Sequence, residues 1–109
     1  MRDEGHVNPV FRWIGEKYGG IDLLINNANS MRRGLILQEE NTKDLRQIIE
    51  TNIMGMCLVV REAAKLMKMR PQEKKNIGHI INITSTIGQI MDNRAPVIKP
   101  VNGLYPASK

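Results

Sequence analysis

Apolar residues recur every three to four positions in two stretches of the chain, and this spacing predicts amphipathic helices. The first stretch covers residues 7–18, where Asn8 can cap the helix, Pro9 suits its first turn and Gly19 can end it. The second stretch is longer and predicts a single helix over residues 42–69. The sequence therefore predicts two amphipathic helices of unequal length.

Two short apolar runs predict β-strands. Residues 21–25 follow a pair of glycines, and residues 78–84 form the second run. Their length and their glycine boundaries favour buried parallel strands over helices. The predicted order is helix, strand, long helix, strand and the start of another helix. This alternation is typical of an α/β fold, in which helices cover a parallel sheet.

Polar side chains stand where each predicted strand ends. Asn26 and Asn27 follow the first strand, and Ser85 follows the second. Parallel sheets bind ligands beyond the carboxyl ends of their strands, so this edge is the predicted ligand site. The long helix contributes Asn52, a polar member of an otherwise apolar stripe. Taken alone, Asn52 is best interpreted as a core asparagine with satisfied hydrogen bonds, because a buried amide needs partners.

Tyr105 and Lys109 lie four residues apart at the end of the chain. In a helix, both side chains project from one face and are stacked one turn apart. A cation at that distance favours the phenolate, which suits the pair to proton transfer at neutral pH. The same spacing also occurs by chance on solvated helices, so the pair gains significance only from the polar residues elsewhere in the chain.

Composition excludes several classes of protein. The chain of 109 residues is 41% hydrophobic and 25% charged, as in ordinary globular domains. Its net charge of +5 comes from dispersed lysines and arginines, which favours a solvated surface over a nucleic-acid interface. A single cysteine, Cys57, excludes an internal disulfide and a multi-cysteine metal site, and its apolar surroundings predict a buried thiol. The sequence has neither a secretory leader nor a membrane-spanning run, so we expect a cytoplasmic protein. We also expect no bound metal.

Four motifs occur in an order that is characteristic of one enzyme family. They are Gly-Ile-Asp-Leu-Leu-Ile-Asn-Asn-Ala at residues 20–28, Asn-Ile-Met-Gly at 52–55, Ile-Asn-Ile-Thr-Ser-Thr-Ile-Gly at 81–88 and Tyr-Pro-Ala-Ser-Lys at 105–109. With these motifs the chain resembles the short-chain dehydrogenases/reductases, and within them the NADP-dependent insect members that are similar to farnesol dehydrogenases. The resemblance implies a Rossmann-like, doubly wound parallel sheet in a three-layer α/β/α fold. It also implies that residues 1–109 are an internal fragment of one dinucleotide-binding domain, without the glycine-rich cofactor loop and the C-terminal substrate region.

The resemblance implies an activity, which is hydride transfer between NADP, or alternatively NAD, and an alcohol or carbonyl substrate such as a farnesol-like lipophilic alcohol. Tyr105 is expected to be the acid/base, and Lys109 to assist it and hold the nicotinamide ribose. Ser85 is expected to bind the reacting oxygen, and Asn52 to hold a water that links Lys109 to solvent. The implied residues are Asn52, Ser85, Tyr105 and Lys109 for catalysis; Asn26, Asn27, Ala28, Tyr105 and Lys109 for the cofactor; and Ser85 and Tyr105 for the substrate.

The chain departs from the family pattern at two places. Asn29 replaces the usual glycine after Ala28, which leaves the fit of the cofactor open. The twenty residues from Ser85 to Tyr105 exceed the usual spacing and predict an additional loop beside the substrate pocket. The alternative to an enzyme is an inactive truncated fragment that acts at most as a binding or dimerisation module. Full-length relatives are expected to form homo-oligomers through the helix that corresponds to residues 42–69.

Overall fold

The computed structural model describes residues 3–32, 42–71, 73, 78–86 and 104–109. The chain divides into two compact units. The first unit comprises Met1–Asn27 and Met54–Ile83, and the second comprises Ala28–Ile53 and Thr84–Lys109. The elements follow the predicted order, whereas the additional loop predicted between Ser85 and Tyr105 lies largely outside the described residues. Within the described ranges, no helix combines the length and the apolar character that crossing a bilayer requires.

Two parallel strands form the sheet of the first unit. β1 (Leu23–Asn26) pairs with β2 (His79–Asn82), and Asn26 stands opposite Asn82. A hydrogen bond of 2.8 Å from the His79 N–H to the Asp22 carbonyl extends the pairing by one step. The predicted α/β class with a parallel sheet is therefore confirmed, although both strands are shorter than the apolar runs that predicted them.

Only one face of this sheet is covered in the first unit. The apolar cluster on that face consists of Val7, Phe11, Leu24, Leu58 and Val59. Side chains alternate between the two faces of a strand, so the neighbours of Leu24 point the other way. Leu23 is 50% exposed and Ile25 is 57% exposed. The described residues therefore leave the second face open. Burial of this face in a complete sheet of the family stays a prediction.

α1 (Glu4–Tyr18) begins earlier than the sequence predicts. Its N-cap is Asp3 and not Asn8, since the Asp3 carboxylate accepts a backbone N–H of the first turn at 3.0 Å. Pro9 consequently lies inside the helix, where it removes one backbone hydrogen bond. The predicted end is correct, because Gly19 adopts a left-handed φ of 73° as the C-cap.

The long helix predicted over residues 42–69 consists of three contiguous segments. They are α2 (Thr42–Ile48), a π-helical segment (Ile49–Gly55) and α3 (Met56–Lys68). A π-helix has wider turns than an α-helix, so the side chains beyond it point in other directions than those of an uninterrupted α-helix. In α3 the buried residues are Leu58, Val59, Glu62, Ala63, Leu66 and Met67. Cys57 lies outside this buried face and is exposed, which corrects the prediction of a buried thiol.

Candidate functional site

Asn52 lies in the middle of the π-helical segment and is 4% exposed. Its side-chain oxygen accepts the Ser30 N–H at 2.7 Å, and its side-chain nitrogen donates to the Ser30 carbonyl at 3.1 Å. The same nitrogen donates to the Ser108 hydroxyl at 2.9 Å. An amide nitrogen has two hydrogens, so both donors of Asn52 are in use and the buried group is satisfied.

Ser108 connects Asn52 to the backbone of Tyr105. The Ser108 hydroxyl donates to the Tyr105 carbonyl at 2.8 Å, and the Ser108 N–H binds the same carbonyl at 3.0 Å. These bonds close α4 (Leu104–Ala107), a helix of a single turn. Tyr105 is 4% exposed, and Lys109 is half-buried directly after Ser108. The fold thus brings Asn52 to the segment that carries the Tyr–Lys pair, although Ser108 is 56 residues further along the chain.

The loop that begins the second unit is held by the same amide. Ser30 is buried, and its hydroxyl accepts a hydrogen bond of 3.2 Å from the Gln47 side chain. Asn52 binds both backbone polar groups of Ser30, so this point of the loop is fixed from two directions. Asn29 precedes it and does not have a positive φ. The backbone here therefore does not require the glycine that the family pattern has at this position.

The remaining predicted residues lie near the strand ends. In the first unit, Asn26 is buried and its side-chain nitrogen donates to the Asn82 side-chain oxygen at 3.3 Å, which links the two strands. Asn27 is exposed there. In the second unit, Ala28 and Ser85 are both half-buried, and Ser85 follows closely after β2. Asn27 and Ala28 are accessible to a ligand, whereas the Asn26 amide is engaged between the strands.

Sequence reasoning missed two residues of this site, Ser30 and Ser108. Ser108 carries a recognisable signal, because a serine can bond back to the carbonyl three residues earlier in a helical turn. Ser30 carries none, since Asn52 contacts its backbone, and any residue except proline presents the same groups. Asn52 was identified from the sequence because it is a polar residue in an apolar stripe. Its partners Ser30 and Ser108 were not identified.

Charged groups that perturb one another lie elsewhere. In α3 of the first unit, Glu62 binds Lys65 at 2.7 Å and Arg61 at 3.2 Å. The Lys65 hydrogen bond, followed by that of Arg61, holds the pKa of Glu62 below its ordinary value. Among the residues that the structure describes, no group of His, Cys, Asp and Glu side chains could hold a metal ion. The network around Asn52 consists of amide, hydroxyl and backbone groups.

The comparison with known families agrees with this arrangement. The family model described as "short chain dehydrogenase" matches residues 1–109. The chain belongs to the short-chain dehydrogenase family. The resemblance inferred from the four motifs is thereby confirmed, and with it the Rossmann-like fold class.

Individual short-chain dehydrogenases share this part of the fold. A farnesol dehydrogenase from Aedes aegypti is 36% identical over 107 residues, which cover 97% of this chain and 40% of that protein. The structure of ElxO with NADP bound matches with a TM-score of 0.76 and 32% identity, over 98% of this chain and 38% of that one. A gluconate 5-dehydrogenase from Burkholderia cenocepacia, in complex with NADP and tartrate, matches with a TM-score of 0.76 and 26% identity, over 99% and 37% respectively. The chain therefore spans about 40% of the length of the relatives it matches.

The described residues fit part of a dinucleotide. In the second unit, Lys109 is half-buried, and an ammonium group is a hydrogen-bond donor of the kind that suits ribose hydroxyls. In the first unit, the exposed Asn27 has an amide that can both donate and accept hydrogen bonds. A pyrophosphate is normally held by a glycine-rich motif at a helix N-terminus, and the sequence of residues 1–109 contains no such motif. Each unit thus has a side chain whose chemistry suits one part of a dinucleotide.

Proposed function

We propose that this chain is the central part of an NADP-dependent oxidoreductase that interconverts alcohols and carbonyl compounds. The observation that carries the proposal is the hydrogen-bonded path from Asn52 through Ser108 to the Tyr105 carbonyl. An asparagine that served only the core could end on any polar group. This one ends on the carbonyl of Tyr105 in a short helix, and Lys109 follows two residues after that helix.

The proposed roles follow from the chemistry of the side chains. When bound, the nicotinamide cofactor supplies or accepts the hydride. In carbonyl reduction, Tyr105 donates its phenolic proton to the substrate oxygen, and in alcohol oxidation the phenolate takes the proton back. Lys109 favours the phenolate electrostatically and binds the ribose hydroxyls. Ser85 donates a hydrogen bond to the reacting oxygen, which keeps that oxygen within reach of Tyr105.

Asn52 is proposed to hold a water that passes protons between Lys109 and solvent. Its two N–H groups are occupied by Ser30 and Ser108. A water held by this side chain must therefore donate to its oxygen, which has a second lone pair besides the one used by Ser30. Asn27 and Ala28 are proposed to contact the adenosine side of the cofactor, and Asn26 to keep the strand end in place beside them.

The resemblances support a choice of cofactor and a class of substrate. NADP is bound in two of the similar structures, ElxO and the gluconate 5-dehydrogenase. The farnesol dehydrogenase of Aedes aegypti supports a lipophilic alcohol as substrate. Activity is expected in the whole protein, meaning a protein of the relatives' length that contains this chain. For residues 1–109 alone we expect no dinucleotide binding, which a fluorescence titration with NADPH and NADH tests.

Tyr105→Phe tests the proposed function in the whole protein. Loss of the proton donor should lower turnover about 10²–10⁴-fold and leave the NADPH dissociation constant unchanged. Tyr18→Phe is the matched control, because Tyr18 is 62% exposed and contacts the Trp13 ring edge-on. The assay follows NADPH oxidation with a panel of carbonyl compounds that includes a prenyl aldehyde. Near-normal turnover in Tyr105→Phe would refute the assignment.

A dimerisation module is the second candidate function. In the second unit, Ile49 is 45% exposed and Ile53 is 42% exposed, four residues apart. Exposed apolar side chains on a helix suit contact with another subunit. Ile49→Glu combined with Ile53→Glu should then convert an oligomer into a monomer, as measured by light scattering after size-exclusion chromatography. Assembly without any Tyr105-dependent turnover would favour the module over the enzyme.

A further inference from the structure

Ser108 occupies the junction between the buried amide and the Tyr–Lys segment. Its hydroxyl accepts the Asn52 N–H at 2.9 Å and donates to the Tyr105 carbonyl at 2.8 Å. The same carbonyl receives the Ser108 N–H at 3.0 Å, so two bonds from one residue converge on it. Ser108 thus acts as donor and as acceptor, and the hydroxyl is the group that links Asn52 to α4.

We propose that Ser108 is a positioning residue that fixes the Tyr105 phenol and the Lys109 ammonium for proton transfer. The proposal rests on the proposed function, since it assigns Tyr105 the role of proton donor. Ser108 acts through the backbone: it holds the Tyr105 carbonyl on one side and is bonded covalently to Lys109 on the other. A shift of Ser108 relative to Asn52 therefore moves both groups.

Asn52 is a well-fixed anchor for this segment. It lies in a longer helical element and is held by two bonds to Ser30. The Ser108 hydroxyl connects this fixed amide to the Tyr105 carbonyl in α4. Misplacement of a reacting group by about 1 Å can cost a factor of about 100 in rate.

The hydroxyl is also required by the Asn52 amide. The other N–H of Asn52 is used by the Ser30 carbonyl, so the N–H directed at Ser108 needs an acceptor of its own. Without one, a buried donor is left unpaired. An acceptor that cannot also donate would satisfy Asn52, but the Tyr105 carbonyl would lose the hydroxyl bond and keep only that from the Ser108 N–H. Among side chains of this size, only a hydroxyl does both well.

Ser108→Thr and Ser108→Val in the whole protein test the proposal as a matched pair, because the two variants have the same shape and differ in the hydroxyl. Ser108→Thr should keep turnover within about threefold of the parent, whereas Ser108→Val should lower kcat about 10- to 100-fold with little change in the KM of the carbonyl substrate. The separation of kcat from KM, and the recovery of kcat with threonine, distinguish positioning of Tyr105 from a loss of folded protein.

Each other outcome overturns the proposal. A Ser108→Val protein with the parental kcat would show that the hydroxyl does not position Tyr105. A loss of rate that matches the loss of folded protein, or a Ser108→Val protein that does not fold while Ser108→Thr does, would make the hydroxyl purely structural. Turnover that survives Tyr105→Phe, or a parent without turnover, would remove the proposed function and this role together. If turnover depends on Tyr105 but is unchanged in Ser108→Val, only the positioning role of Ser108 is refuted.

Discussion

The first unit is stabilised by apolar contacts and paired strands, whereas the described part of the second unit is connected by directional hydrogen bonds. In the first unit, a cluster of aliphatic and aromatic side chains packs beside two parallel strands. In the second, hydrogen bonds run from Gln47 through Ser30, Asn52 and Ser108 to the Tyr105 carbonyl. Apolar burial is non-directional, but a hydrogen bond fixes the distance and angle between two atoms. The directional bonds that fix the positions of side chains thus lie in the second unit, which carries Tyr105 and Lys109.

The sharpest test of this contrast compares one buried aliphatic residue from each unit. Leu58→Ala removes part of the first unit's cluster, and Ile48→Ala removes a fully buried side chain, 0% exposed, from the second unit. Each should lower the free energy of unfolding of the whole protein by about 2–5 kcal/mol. The turnover rate per folded molecule should fall only in Ile48→Ala, because Ile48 lies four residues before Asn52. Urea unfolding and an active-site-titrated rate measure the two quantities.

Two results would contradict this contrast between the two units. Equal losses of rate per folded molecule in Leu58→Ala and Ile48→Ala would mean that the geometry of the site depends on both units alike. An unchanged rate in Ile48→Ala would mean that the hydrogen bonds around Asn52 keep their geometry without the packing beneath them.

The second prediction concerns Asn52 itself. Asn52→Ala leaves the buried N–H and carbonyl of Ser30 without their partner, which should cost about 2–3 kcal/mol of stability. We expect the rate per folded molecule to fall further than this loss explains, because the water proposed to serve Lys109 is also lost. Asn52→Asp keeps an acceptor for the Ser30 N–H and removes both donors, so it should lose rate as well.

Asn8→Ala is the control for Asn52→Ala. Its side-chain oxygen has no hydrogen-bond partner among the described residues, and alanine is the better helix former. Asn8→Ala should therefore leave rate and stability near those of the parent. If Asn52→Ala lost stability but kept its rate per folded molecule, Asn52 would be a core asparagine and nothing more.

The smallest effect is expected at Glu62 in the first unit, as a dependence of stability on pH. The pKa of Glu62 is held below its ordinary 4.5, first by Lys65 and then by Arg61, so the folded state favours the carboxylate. Its contribution is complete above that ordinary pKa and disappears as the pH falls through the lowered native value. Glu62→Gln should cost about 0.5–1 kcal/mol at pH 7 and nothing at the acid end, since both partners are exposed.

Thermal melts between pH 7 and pH 3 measure this dependence, with Glu16→Gln as the control from the exposed surface of α1. The rate per folded molecule should not change in either variant. A rate loss confined to Glu62→Gln would connect the first unit's charges to the chemistry and weaken the contrast between the units.

The sequence predicted most of the helices and strands of the first unit, whereas it did not reveal the hydrogen-bond partners of Asn52, and the reasons differ. Apolar spacing determines which stretches become helices and strands, because burial depends on which positions share a face. It did not reveal the π-helical segment, since the apolar spacing over residues 42–69 is that of an uninterrupted helix. The N-cap was misplaced for a local reason: both Asp3 and Asn8 are good caps, and only the structure shows which one binds the first turn. Ser108 and Ser30 were not predicted as partners of Asn52, because they lie 56 and 22 residues from it in the chain and such distances produce no periodic sequence pattern.

The paired bonds between Asn52 and Ser30 have a consequence for how the site can vary. The Asn52 amide binds the N–H and the carbonyl of one residue, as a neighbouring peptide group would in a sheet. What it recognises is main chain, which every residue except proline presents in the same form. Position 30 is thus open to exchange among side chains of similar size, while position 52 needs one acceptor and two donors at a fixed reach. Glutamine is longer by one carbon and aspartate lacks the donors. Substitutions at position 30 should therefore remove the bond from Gln47 but keep the anchor at position 52 intact.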